Sequence, residues 1–254
     1  MAVFHRPVFI VGSPRSGTTL MRSIVDAHTQ IFCPFWETGF FIHFDALLSS
    51  DLDAILAKDK TFPINRDFLI NWARGSVETL LARFGESAGK HRWAEKTPAH
   101  VYHMDLIKEV FPDAQFIHMI RNANDVIRSL QNMPWAPKNI NWAIDRWNSS
   151  IEAGQSSGAR MSPTEYCEIR YEQLLAEPSE TVTKLCEFLG ERFEPSMLEF
   201  HSEGRNSWRT SLAPLQTKSL NNYSDLGLLS KTLVRWKTRN LMRALGYTNA
   251  KTGT

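Results

Sequence analysis

The chain has 254 residues, 43% hydrophobic and 22% charged, a balance typical of one globular domain. Its net charge of +2 suits an anionic ligand but lacks the strong basic bias of nucleic-acid-binding proteins. No apolar stretch approaches the roughly 20 residues of a membrane span, and the first residues do not resemble a secretory signal, so we expect a cytoplasmic location. Three scattered cysteines without metal-binding spacing are expected to be reduced thiols.

The first predicted element is a buried strand. Residues 7–12, PVFIVG, form a short apolar run that ends in glycine, which is typical of a central parallel strand. Apolar residues then recur at helical spacing from about Thr18 to His28. Strand, glycine-containing loop and helix therefore predict the first half of a βα unit.

Strands and helices continue to alternate along the chain. Asn124 or Asp125 is expected to cap one helix, and Ser179 and Gly190 to begin and end another. The alternation predicts a single α/β domain over 1–254, with a three-layer, P-loop-like fold and a central, mostly parallel sheet flanked by helices. Further strands are predicted at 92–95, 114–120 and 165–171, and helices at about 40–58, 66–85, 105–111, 125–132 and 179–190.

The last fifty residues divide into three parts. Residues 201–222 are polar and weakly periodic, which predicts a long loop or lid. A final helix is predicted from about Lys231 to Leu245, and residues 248–254 are expected to be frayed. The predicted core face of that helix consists of Leu233, Trp236, Leu241 and Leu245.

The loop after the first strand predicts an anion site. Gly12 and Gly17 have the spacing of a phosphate-binding loop, which presents backbone N–H groups at a helix N-terminus. The ATP-binding form of this loop has lysine directly after its second glycine, where this chain has Thr18. The missing lysine argues against nucleoside triphosphate hydrolysis, and Arg15 supplies a different cation within the turn.

The segment GSPRSGTTL resembles the 5′-phosphosulfate loop of sulfotransferases that use 3′-phosphoadenosine 5′-phosphosulfate (PAPS). The resemblance is to the branch that contains tyrosylprotein sulfotransferases and many bacterial small-molecule sulfotransferases. It implies that PAPS is the co-substrate, released as adenosine 3′,5′-bisphosphate. It also implies that the cofactor is bound by Arg15, Ser16, Gly17, Thr18 and Thr19.

Two further segments extend the resemblance over residues 8–190. FIHMIRNANDVIRSL has Arg121 and Ser129 at the family's spacing, which implies that they bind the 3′-phosphate. IRYEQLLAEP resembles a family segment whose tyrosine lies near the adenine, which implies this role for Tyr171. A late lysine of relatives implies that Lys218 closes over the 3′-phosphate side.

The resemblance also implies catalytic residues. Sulfuryl transfer needs positioning and charge neutralisation, and side-chain cations can supply the latter without a metal. Glu37, in a Glu-Thr pair among aromatic residues, is the implied general base, with Lys96 beside the leaving phosphate and Arg15 sharing the charge. No metal-binding signature is present, so no metal is expected. Competing bases are His28, which is expected to be structural, His100 and His103.

The acceptor is expected to be a small molecule with a hydroxyl group, less readily an amine. The segment FWETGFFIHF has Gly39 and His43 where tyrosylprotein enzymes have arginines, so an apolar or phenolic acceptor fits better than an acidic peptide. A peptide acceptor remains an alternative. A P-loop kinase and a non-catalytic nucleotide-binding protein are alternatives of another class, and the oligomeric state is left open.

Overall fold

The computed structural model describes residues 6–49, 65–199 and 227–247. It contains one sheet of five parallel strands in the order β2-β3-β1-β4-β5. The strands are β1 (Val8–Gly12), β2 (Ile31–Phe32), β3 (Arg92–Lys96), β4 (Gln115–Ile120) and β5 (Tyr166–Arg170).

Helices cover both faces of the sheet, because parallel strands need crossover connections. Two 3-10 helices, Pro98–Tyr102 and Pro195–Leu198, complete the described elements. The α-helices are α1 (Thr18–Asp26), α2 (Phe40–Ser49), α3 (Arg66–Ser87), α4 (Met104–Val110), α5 (Ala123–Gln131), α6 (Ile140–Gly158), α7 (Tyr171–Ala176), α8 (Pro178–Leu189) and α9 (Leu228–Ala244).

The central strand β1 separates two hydrophobic cores. Its side chains are fully buried, and because successive residues point to opposite faces, Val8 and Ile10 pack toward α1 and α8. Phe9 and Val11 pack on the other face, against residues of α2, α3 and α4. A third cluster joins α5, α6 and α9. The phosphate-loop candidate thus follows directly from a fully buried central strand of the sheet.

The structure confirms the predicted three-layer α/β class and corrects several details. The side chain of Asn122, not Asn124 or Asp125, caps α5 by accepting a hydrogen bond from the Asn124 N–H. Helix α8 begins at Pro178 rather than after a Ser179 cap, because proline fits the first helical turn, and it ends at Gly190 as predicted.

The predicted core face of the last helix is wrong at one position. Trp236 is 69% exposed, whereas Val234 and Thr238 are buried and the predicted Leu233 and Leu241 pack against the core. Leu245 is buried as expected. The single-domain boundary stays a prediction, and the predicted lid at 201–222, the frayed end at 248–254 and the last part of the 40–58 helix lie outside the described residues.

Within the described ranges, no helix has both the length and the apolar composition that crossing a membrane requires.

Candidate functional site

The loop after β1 is a tight turn at the carboxyl edge of the sheet. The N–H and the hydroxyl of Ser16 both donate to the Ser13 carbonyl, at 3.1 and 2.6 Å. Gly17, with φ of 98°, precedes α1 and has no side chain to cap the helix. Because α1 also has no acidic residue in its first turn, its N-terminal N–H groups and dipole favour an external anion.

Both glycines of the loop lie so close to neighbouring elements that a side chain would not fit at either position. A Cβ at Gly12 would lie 2.5 Å from the Met119 carbonyl oxygen of β4. A Cβ at Gly17 would lie 2.4 Å from the Tyr171 ring, closer than real Cβ contacts allow. The loop is therefore pressed against both the neighbouring strand and the start of α7.

Two arginines, a serine and a tyrosine meet beside this loop. The Arg15 Nε donates to Ser129 Oγ at 2.8 Å, and Arg121 donates to the Arg15 carbonyl at 3.3 Å. The Arg121 guanidinium also lies over the Tyr171 ring, 4.2 Å from its centroid. We call Arg15, Arg121, Ser129 and Tyr171 the arginine cluster. The structure therefore brings these four residues together around the loop.

The arginine cluster has the electrostatics of an anion site. Burial lowers the pKa of Arg15, and the nearby positive charge of Arg121 lowers it further, although Tyr171 opposes this. Two guanidinium groups held near each other favour a ligand with negative charge, and both can pair bidentately with phosphate oxygens.

Long-range contacts that the sequence analysis missed hold Arg121 in place. The Trp147 Nε1 donates to the Arg121 carbonyl at 3.0 Å. The next residue, Asn122, donates its N–H to Glu172 Oε1 at 2.9 Å, and Tyr247 donates its hydroxyl to Glu172 Oε2 at 2.8 Å. These partners come from α6, α7 and the segment after α9, and of the three only Glu172 lies in a segment that the sequence analysis identified.

Glu37 and Lys96 form an ion pair at the end of β3. The Lys96 Nζ donates to Glu37 Oε1 at 2.5 Å. Lys96 is buried, with 5% of its side chain exposed, whereas Glu37 is 50% exposed. Strand β3 pairs with β1, with Lys96 opposite Ile10, so the ammonium lies at the same sheet edge as the phosphate-binding loop.

The surroundings of Glu37 are more open than its aromatic neighbours predict. The Glu37 carboxylate keeps half of its surface, and Phe35 is 62% exposed. Trp36 instead packs its ring edge-on against Phe84 of α3, with centroids 5.2 Å apart. The base candidate therefore combines solvent access with a partner cation.

The three histidines that compete as base have other partners. His100 is fully buried, with Nδ1 on Glu95 at 2.9 Å and Nε2 accepting weakly from the Phe41 N–H at 3.4 Å. His103 lies 3.0 Å from Asp45, and burial lowers its pKa. His28 contacts backbone groups through both ring nitrogens, in keeping with its expected structural role. These contacts argue against His100 and His103 as the base.

The remaining predicted site residues divide by position. Ser16 is buried in the loop and Thr18 is buried at the start of α1, while Thr19 is exposed on the first turn of α1. Lys218 lies outside the described residues. Over the parts of the chain that the structure describes, no group of three or more His, Cys, Asp or Glu side chains could hold a metal ion.

The fold and the site together define a class: an α/β protein with a candidate anion site at the carboxyl edge of a parallel sheet. A family model described as the sulfotransferase family matches residues 7–195. The chain belongs to the sulfotransferase family.

Individual similarities agree with this membership. An uncharacterised protein of Aquifex aeolicus is 27% identical over 91% of this chain, which spans 30% of that protein. A protein-tyrosine sulfotransferase of Drosophila melanogaster is 26% identical over 77% of this chain and 40% of its own length. The chain thus spans well under two thirds of either relative.

A solved sulfotransferase domain from the curacin biosynthetic pathway shares the fold. Its TM-score is 0.70 at 18% identity, and the match covers 96% of this chain and 99% of that domain.

Proposed function

We propose that this chain transfers a sulfuryl group from PAPS to a hydroxyl group of a small acceptor. The observation that carries the proposal is the 2.5 Å pair of Lys96 and Glu37 at the sheet edge that also bears the phosphate-binding loop. The pair puts an ammonium suited to a leaving phosphate next to a carboxylate suited to taking a proton.

The described residues fit the nucleotide. The loop offers N–H groups at the start of α1 for the 5′-phosphosulfate, and Arg15, Ser16, Gly17, Thr18 and Thr19 are the residues assigned to it. Arg121, Ser129 and Tyr171 are assigned to the 3′-phosphate and adenine side, and Lys218 is assigned to that side too. When bound, PAPS supplies an activated sulfuryl group.

Each protein group has one role in the proposed transfer. Glu37 takes the proton of the acceptor hydroxyl as its oxygen forms a bond to sulfur. The bond between sulfur and the bridging phosphate oxygen breaks, and Lys96 and Arg15 neutralise the charge that the departing adenosine 3′,5′-bisphosphate gains. The reaction balances in atoms and charge. One acceptor hydroxyl and one PAPS give one sulfate ester, one adenosine 3′,5′-bisphosphate and one proton. No step needs a metal.

An apolar groove on the outer face of α3 supports a small aromatic or apolar acceptor. It runs along α3, has a volume of about 830 Å³, and is lined by Trp72, Leu80 and Phe84. Each of these side chains is more than 40% exposed, and the volume suits a small organic molecule.

The segment that carries Glu37 flanks this groove. Trp36 contacts Phe84, with centroids 5.2 Å apart, and Phe40 contacts Trp72, with centroids 6.3 Å apart. Glu37 lies between Trp36 and Phe40 in the chain, so the segment that carries the carboxylate adjoins the groove.

A tyrosine-containing peptide is the second candidate acceptor. It is favoured by the similarity over 77% of this chain to a relative named as a protein-tyrosine sulfotransferase. The groove argues for the smaller ligand, since Arg83 is the one cation among its described lining residues and the other described ones are apolar or weakly polar.

Calorimetry and product detection test the proposal. We expect the protein to bind adenosine 3′,5′-bisphosphate without metal and to release it from PAPS in the presence of phenols, more slowly with alcohols and least with an acidic tyrosine peptide. Tight binding of ATP–Mg²⁺ alone would indicate a kinase. Tight bisphosphate binding without turnover on any acceptor would indicate a non-catalytic nucleotide-binding protein.

A further inference from the structure

A buried carboxylate under the Glu37 segment is not used by the proposed transfer. Glu95 is 1% exposed and receives hydrogen bonds on both of its oxygens. Oε1 accepts from the Thr38 N–H at 3.1 Å, from the Thr38 hydroxyl at 2.9 Å and from the Thr97 hydroxyl at 2.6 Å. Oε2 lies 2.9 Å from the Nδ1 of His100, which is fully buried.

These contacts fix the charge of the group and the tautomer of its partner. His100 accepts from the Phe41 N–H through Nε2, so its proton lies on Nδ1, toward Glu95. Burial alone would raise the pKa of Glu95, but the adjacent His100, Thr97 and Thr38 outweigh burial and lower it. The carboxylate is thus ionised, and its hydrogen bonds are of the stronger, charge-assisted kind.

The network connects to both residues of the Glu37–Lys96 pair. Glu95 and Lys96 are consecutive in β3, so their side chains leave opposite faces of the strand. Thr38 contacts Glu95 on one face while Glu37 contacts Lys96 on the other. The Glu37–Thr38 segment therefore straddles the end of β3.

The next residue is held to the same strand end. The Gly39 N–H donates to the Thr97 hydroxyl at 3.3 Å, and that hydroxyl donates to Glu95 in turn. Thr38 and Gly39, on the C-terminal side of Glu37, thus donate three hydrogen bonds, two from backbone N–H groups and one from the Thr38 hydroxyl, to residues that adjoin Lys96.

We infer that Glu95, with His100 and Thr97, is a positioning group that sets the distance between Glu37 and Lys96 by holding Thr38. This inference rests on the proposed function for its kinetic consequence. It assigns no contact with substrate to Glu95 or His100. A misplacement of about 1 Å in a reacting group can lower turnover by about 100-fold, so the network has a measurable effect.

The kinetic test uses Thr38→Val, which removes a hydroxyl at nearly constant volume, and Thr38→Ser, which restores it. We expect Thr38→Val to lower kcat by about tenfold or more, with the affinity for adenosine 3′,5′-bisphosphate unchanged, and Thr38→Ser to recover kcat. Glu95→Gln should lower kcat further. Thr183→Val, which removes a surface hydroxyl that bonds to the Ser179 carbonyl, is the matched control.

A second measurement does not depend on turnover. NMR of protein labelled with ¹⁵N-lysine detects the side-chain ammonium of Lys96, and this resonance reports the ion pair with Glu37. The resonance is assigned by its absence in Lys96→Met. We expect it to shift or broaden in Thr38→Val and in Glu95→Gln but not in Thr183→Val. An unchanged resonance in both variants would overturn the inference, as would a kcat loss that Thr38→Ser does not recover.

The two measurements separate the inference from the proposed function. If the wild-type protein transfers sulfate to no acceptor, the proposed function fails and the resonance still decides whether Glu95 positions the pair.

Discussion

The two sides of the sheet edge differ in the kind of side chain that they present. On the donor side, the loop after β1 and the arginine cluster are tied to α5, α6 and α7 by hydrogen bonds and close backbone contacts. On the acceptor side, large aromatic side chains are exposed at Phe35 and, on the outer face of α3, at Trp72 and Phe84. Under the proposed function, the basic side suits a highly charged co-substrate and the aromatic side suits a mainly apolar acceptor.

Glu37 joins the two sides through its own contacts and those of its neighbour. Lys96 connects it to β3, and Thr38 connects the following backbone to Glu95. Substitutions on each side should therefore separate binding of the nucleotide from transfer.

The largest expected effect is on the acceptor side. Glu37→Gln should lower kcat by about 1,000-fold, because a positioned base contributes about 10²–10⁴-fold. The affinity for adenosine 3′,5′-bisphosphate should stay near that of the wild type. Steady-state kinetics and calorimetry measure both quantities, with the exposed Glu152→Gln as control. Lost nucleotide binding in Glu37→Gln would mean that the residue belongs to the donor side.

The second effect is on the folding stability of the protein and arises from a buried histidine next to the phosphate-binding loop. His118 of β4 is fully buried near Gly12, and burial lowers its pKa to about 4. An unfolded histidine has a pKa of about 6.5, so between pH 6.5 and 4 the unfolded chain binds a proton that the folded chain does not.

The sign of the pH effect follows from this difference. The contribution of neutral His118 is fully present above pH 6.5 and is lost progressively as the pH falls toward 4, by about 3 kcal/mol in total. Urea unfolding at several pH values measures it. The acid dependence should flatten in His118→Asn and persist in His91→Asn, whose histidine is exposed. Equal slopes in the two variants would contradict the prediction.

The third effect is confined to the binding of the nucleotide. Arg121→Ala should weaken the binding of adenosine 3′,5′-bisphosphate by about 10- to 100-fold, because a charged hydrogen bond contributes about 1.5–3 kcal/mol. The preference of the protein for this nucleotide over adenosine 5′-phosphate should fall by the same factor. Arg239→Ala, at an exposed position, should leave the affinity and the preference unchanged. A full preference for the 3′-phosphorylated nucleotide in Arg121→Ala would show that the 3′-phosphate is bound elsewhere.

The smallest effect concerns the groove. Phe84→Ala should raise the KM of a phenolic acceptor by about tenfold, since burying an aromatic side chain contributes about 1.5–3 kcal/mol. The KM of PAPS should not change. Phe68→Ala is the matched control, because Phe68 lies on the same helix, is 50% exposed and does not line the groove. Equal effects in the two variants would place the acceptor elsewhere.

The same contrast describes what the sequence could predict. The donor side is encoded in short motifs, so Gly17, Arg121, Ser129 and Tyr171 could be named in advance, and the structure brings them together. Local spacing suffices there because each motif follows a strand that ends at the same edge of the sheet.

The acceptor side and the supporting contacts depend on side chains far apart in the chain. Glu95 could not be connected to Thr38, 57 residues away, by spacing alone. Trp236 was assigned to the core because periodicity does not fix which helical face turns inward. His100 followed the lysine motif as a base candidate, but tertiary packing buries it. The cytoplasmic location stays a prediction.

Transfer of labelled sulfate tests the central division of roles most directly. The protein is mixed with PAPS labelled with ³⁵S and a phenol, and the label is followed in single turnover in the wild type and in Glu37→Gln. We predict that the wild type moves the label to the phenolic oxygen with release of one bisphosphate per ester, whereas Glu37→Gln retains bound PAPS and transfers almost none. Label transfer at the wild-type rate in Glu37→Gln, or failure of the wild type to bind PAPS, would contradict the account.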